Sequence, residues 1–162
     1  MDKNKQLEKV SIIAKRLAAL NPRNDSELAL FSHLVGATHS IRKAVDLSTD
    51  GYSDEHLLPN FADRVLSTAK GMTSPNSSLD PAWEAGYYFN SAIARIAAVN
   101  DRLGKYVGDR TDFTPEVRRE VNRIKHDVKG ILRGRKVNFK DALTSLAELT
   151  NAMLAVQKSS GA

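Results

Sequence analysis

The chain has 162 residues, 27% of them charged and 41% hydrophobic, with 24 Lys and Arg against 19 Asp and Glu and no cysteine. That length suits one domain with its own core, and the missing cysteines exclude disulfides, Cys-ligated zinc, iron–sulfur clusters and thiol nucleophiles. The net charge of +5 favours an anionic partner; MDKNKQLEKV at the start lacks the apolar core of a secretory signal and no run reaches membrane-span length, so we expect a cytoplasmic protein without a membrane partner.

From Asp2 to Leu20, apolar residues recur at Leu7, Val10, Ile13, Leu17 and Leu20, the three-and-four spacing of a helix buried along one stripe. Asn21-Pro22 ends it. A second helix, capped by Asp25 or Ser26, runs to about Leu47 on Leu28, Phe31, Leu34, Val35, Ile41 and Val45, and the short connection favours antiparallel packing. Asp50-Gly51 marks a turn, and a third helix is expected from Pro59 to Ala69 with Phe61, Val65 and Leu66 inward and Gly71 at its close. Residues 70–80, rich in Ser with Pro75 in their middle, form an internal loop.

Asp80-Pro81 starts the longest helix, since aspartate caps free amides and proline is tolerated at the first helical position. Its seam is Ala85, Phe89, Ala92, Ile96, Val99 and Leu103. A second line, through Trp83, Tyr87, Asn90, Ala94, Ala97, Asp101 and Gly104, is small at its centre and would admit a neighbouring helix closely. Trp83, Tyr87 and Tyr88, at the start of this helix, could stack on bases beside a basic surface, but at the start of a buried helix they are expected to contribute to the core. Thr114-Pro115 repeats the cap-then-proline start for a helix with core line Val117, Val121, Ile124, Val128 and Ile131, stopped by Gly134. Asn138 caps the last helix, which buries Phe139, Ala142, Leu146, Leu149, Met153 and Val156 before a frayed tail over 158–162. No alternating strand pattern and no internal repeat is present. The expected fold is all-α, a single-domain bundle of about five or six helices, mostly up-and-down.

Charge concentrates in one place. Between Glu116 and Lys136 stand eight bases, Arg118, Arg119, Arg123, Lys125, Lys129, Arg133, Arg135 and Lys136, against three acids, Glu116, Glu120 and Asp127, so this window alone matches the chain's whole net charge. On a helical wheel Arg119, Asn122 and His126 share the side opposite the Val and Ile line. An imidazole there can serve as general base on a ribose hydroxyl while a guanidinium holds phosphate, the parts a metal-free ribonuclease requires. The same face is also what an ordinary solvated surface would present. His33 and His39 do not stack on one helix face, no HExxH or Glu-x-x-His pairing occurs, and no Gly-rich phosphate loop is present, so neither a metal nor a cofactor is expected. Arg42-Lys43 and Lys15-Arg16 read as solvated positions.

The helices WEAGYYFNSAIARIAAVNDRL and REVNRIKHDVKGIL resemble the HEPN superfamily (higher eukaryotes and prokaryotes nucleotide-binding domain), over about a third of the chain. Arg119, six residues and His126 match that family's Arg, four to six residues, His arrangement, and NRIKHD looks like its Asn-x-x-Lys-His wording. The resemblance implies an α-helical bundle that dimerises so that two Arg–His faces meet in a cleft, where catalytic members cut RNA without metal. Asn122 and Asp101 would then orient the Arg119–His126 pair, and Arg118, Arg123, Lys125, Lys129, Arg133, Arg135 and Lys136 would hold RNA. One departure is that active members place Asn, Asp or His directly after the arginine, where this chain has Glu120. The alternatives are a non-catalytic module that forms a homodimer or grips an acidic protein partner, and phosphate-backbone binding that makes no use of His126.

Overall fold

A computed structural model describes residues 3–48, 81–133 and 137–159. These residues form five helices and no strand: α1 (Lys3–Ala18), α2 (Asp25–Leu47), α3 (Pro81–Gly108), α4 (Pro115–Leu132) and α5 (Phe139–Ser159). The helix expected over 59–69, the 70–80 loop, the stop at Gly134, the bases Arg135 and Lys136, the side chain of Trp83 and the end of the tail lie outside the described residues.

The helices alternate in direction. Lys3 at the start of α1 donates to the Asp46 carbonyl near the end of α2 at 2.6 Å. The start of α2 meets the end of α3 through Glu27 and Tyr106, while its other end meets the beginning of α3 through Lys43 and Tyr88. With an odd number of such helices, the ring closes on two that run the same way. Arg16 donates to Asn151, and Gln157 donates to the Asn21 carbonyl at 2.6 Å, so α1 and α5 advance in parallel. The bundle is therefore up-and-down along the chain with one parallel closure, in which α5 contacts all four other helices.

One contiguous core runs through all five helices. The stripe of α1 lies as the spacing predicts, with Val10, Ile13, Leu17 and Leu20 buried, and the seam of α3 from Ala85 to Leu103 is buried throughout. On α4, Val121, Ile124 and Val128 are sealed while Val117 and Ile131 are half-buried at its ends. Phe89 of α3 meets Phe139 of α5 edge-on at 5.1 Å between centroids, an arrangement that aromatic quadrupoles favour.

Three expectations are corrected. The cap of α2 is Asn24, whose side chain accepts from the Glu27 amide at 2.9 Å, rather than Asp25 or Ser26. Leu28 and Val35 are 49% and 42% exposed, because the inward stripe of α2 is Leu30, Leu34, Ala37, Ile41, Ala44 and Val45. Ala37 and Ala44 on that stripe are fully buried, and α2 and α3 are in contact. Tyr87 is 51% exposed and turned out of the core, its ring edge-on to Tyr88.

Candidate nucleic-acid interface

The helix that carries most of the basic window is started by local chemistry. Thr114 Oγ1 accepts from the Val117 amide at 3.3 Å and Pro115 fills the first helical position, where its missing N–H costs nothing. Val121, Ile124 and Val128 bury one side, so register alone fixes which side chains face out. Arg119, Asn122 and His126 are all exposed, as the wheel requires.

The two edges of α4 differ in charge. Towards α5, Arg123 is enclosed by acids: Glu120 at 2.8 Å, Asp127 at 3.0 Å and Glu148 of α5 at 3.7 Å. The hydrogen bond from Arg123 is the largest influence holding the Glu120 carboxyl below its ordinary pKa. Arg123 thus offers little free charge to a ligand. Towards α3, by contrast, Lys125 lies across Gly104, where a side-chain Cβ would come within 2.8 Å of its Nζ. Helical register puts half-buried Arg118 and exposed Lys129 and Arg133 on that same edge, with no acid of α4 among them.

Arg119 stands between the two edges, 3.8 Å from Glu116, with both side chains about three-quarters exposed at 75% and 74%. Such a pair contributes little to stability and is readily exchanged for a better anion. Asp101 is exposed on α3. Its neighbour Asn100 is buried and donates from Nδ2 to the Lys125 carbonyl at 3.1 Å, which brings the Asp101 turn alongside the Lys125–His126 turn. The small line of α3 remains open at Ala94, Ala97 and Asp101, and only Gly104 is covered, by Lys125.

Two arrangements escaped the sequence reading. On α2, Glu27 is 1% exposed and accepts from the Tyr106 hydroxyl at 2.7 Å and the Arg23 amide at 3.3 Å. Asn24-x-x-Glu27 is a capping-box spacing, so placing the cap one residue later concealed it. Burial raises the Tyr106 pKa, and the Arg110 guanidinium lies 5.5 Å from its ring centroid. On the α2–α3 seam, His33 is half-buried beside Arg95 and Arg102, whose charges add to burial in lowering its pKa. The mid-helix Gly36 was the sequence signal there, and it does not say which residue it faces. Arg16 and Lys43 are also more than solvated positions: Arg16 donates to Asn151 and Lys43 sits 5.7 Å from the Tyr88 ring centroid.

No group of His, Asp and Glu among the described residues could hold a metal ion, and no described helix is long and apolar enough to cross a membrane. A scan against protein-family models and searches of curated proteins and of solved structures gave no match.

Proposed function

We propose that the chain is an HEPN-like, RNA-directed protein whose α3-facing edge of α4 holds the phosphate backbone, with Arg119 and His126 as the reacting pair. The observation that carries this reading is the sorting of charge on α4. Its acids and Arg123 are gathered towards α5, leaving Arg118, Lys125, Lys129 and Arg133 beside exposed His126 and Asn122. A polyanion laid along that edge meets cations without an interposed carboxylate of α4.

Cleavage follows from the same groups in a homodimer whose second copy completes the cleft. The His126 imidazole takes the proton of a ribose 2′-hydroxyl, the 2′-oxygen attacks the adjacent phosphorus, and the bond from phosphorus to the 5′-oxygen breaks. A protonated His126 of the second copy returns a proton to the leaving oxygen, so charge and protons balance with a 2′,3′-cyclic phosphate as product. Arg119 stabilises the charge that builds on the phosphoryl oxygens, and Asn122 and Asp101 orient the pair.

Glu120, which follows Arg119 and is engaged by Arg123 on the α5 side, favours a second reading, backbone binding without cleavage. Measuring binding of single-stranded RNA against salt in wild type, Lys129→Gln and His126→Ala tests the interface common to both. Affinity falls with salt, Lys129→Gln makes the slope shallower by about 0.7 in log–log units, and His126→Ala leaves it unchanged. A slope indifferent to Lys129→Gln removes the proposed edge.

A further inference from the structure

We infer that the α2–α3 seam at Gly36 is a second, separate phosphate-binding site, built from Arg95, Arg102 and His33. Arg95 and Arg102 stand seven residues apart on α3 and so share a face. Both are exposed, and no acid among the described residues pairs with either. A Cβ on Gly36 would lie 2.6 Å from Arg95 Nη1 and 3.0 Å from Cζ, so the guanidinium rests against the α2 backbone in space that only glycine leaves open. Three residues earlier on α2, His33 presents a buried Nδ1 with no hydrogen-bond partner.

A buried nitrogen left without a partner is costly, and the two exposed guanidiniums beside it have no acid to neutralise them. A phosphate group relieves it, accepting from both forks and from a protonated imidazole, with the charge-assisted geometry in which arginine excels. Burial, Arg102 and Arg95 together lower the pKa of that imidazole, and an anion set between the guanidiniums offsets their part of the effect. Beyond Arg102 the seam opens into a cavity of about 710 Å³ lined by Ser26, Ala29, Lys105, Tyr106 and Arg110. Asp25 and Asp109 also line it, which leaves the Arg102 end for the anion and the remainder for an organic substituent. The phosphate can therefore belong to a free mononucleotide or to an RNA strand.

The site does not depend on the α4 reading, and the test keeps them apart. Binding of inorganic phosphate, adenosine monophosphate and a short single-stranded RNA is measured by calorimetry for wild type, Arg95→Gln/Arg102→Gln, Gly36→Ala and Lys129→Gln. The double variant is expected to weaken binding of phosphate or a phosphate-bearing ligand at least roughly tenfold, the loss of two charge-assisted contacts. Gly36→Ala displaces only the mobile end of Arg95, retains a helix-favouring residue and weakens the same ligand several-fold without loss of thermal stability. Lys129→Gln leaves mononucleotide binding unchanged. Losses confined to adenosine monophosphate and phosphate identify a mononucleotide, and losses on RNA alone identify a strand. Absence of binding to all three probes, or binding indifferent to the double variant, overturns the proposal.

Discussion

The Tyr106 hydroxyl of α3 donates to Glu27 Oε2 of α2 at 2.7 Å, and Glu27 is a carboxylate only 1% exposed. This contact ties the first turn of α2 to the last turns of α3. Asn24 Nδ2 also reaches the same hydroxyl at 3.4 Å, so cap and clasp share one tyrosine. Replacing Tyr106 with Phe keeps the ring but leaves a buried carboxylate oxygen without its donor. We expect Tyr106→Phe to lose about 1–3 kcal/mol of unfolding free energy in denaturant titrations.

The same hydroxyl predicts an alkaline limit. Burial, first among the influences on it, raises the Tyr106 pKa above 10.0. Between the ordinary and the raised value the folded chain keeps a proton that the unfolded chain releases, so this contribution is whole below pH 10 and declines as pH rises towards the folded value. Thermal melts across that range should show wild type losing its advantage over Tyr106→Phe.

Asp112 sets the corresponding acid behaviour. Its hydrogen bond from Arg110 is the main cause that lowers its pKa from 3.8 to about 2. The folded chain therefore releases this proton more readily than the unfolded one, and the contribution is present above 3.8 and lost as pH falls through about 2. The deficit of Asp112→Asn relative to wild type should accordingly shrink over that interval in acid titrations.

Burial separates two neighbours on α4. Ile124 is fully buried whereas Arg123 is exposed despite its three acidic partners. We expect Ile124→Ala to cost about 2–5 kcal/mol through lost transfer energy and a cavity. Arg123→Ala should cost far less, because solvent screens its pairs. Chemical denaturation of the two variants checks the contrast.

Periodicity made most of the bundle legible, because a helix that buries one stripe must repeat its apolar residues near 3.6. The lines Val10–Leu17, Phe89–Leu103 and Val121–Val128 needed nothing further. Alanine and glycine were harder to read. Ala37 and Ala44 lie on the inward face of α2, and reading that face from the large apolar residues put Leu28 and Val35 on it as well. The outward set Arg119, Asn122 and His126 was legible for the same reason as the core, being its complement. The seam of His33, Gly36, Arg95 and Arg102 was not, since it joins two helices whose mutual rotation no single-helix pattern specifies.

The reacting pair is tested most directly by incubating single-stranded RNA in EDTA with wild type, His126→Ala and Arg123→Ala, and analysing product ends. The account predicts metal-independent cleavage to 2′,3′-cyclic phosphate ends by wild type and by Arg123→Ala, and none by His126→Ala. Intact RNA with wild type, or cleavage that survives the loss of His126, would contradict it.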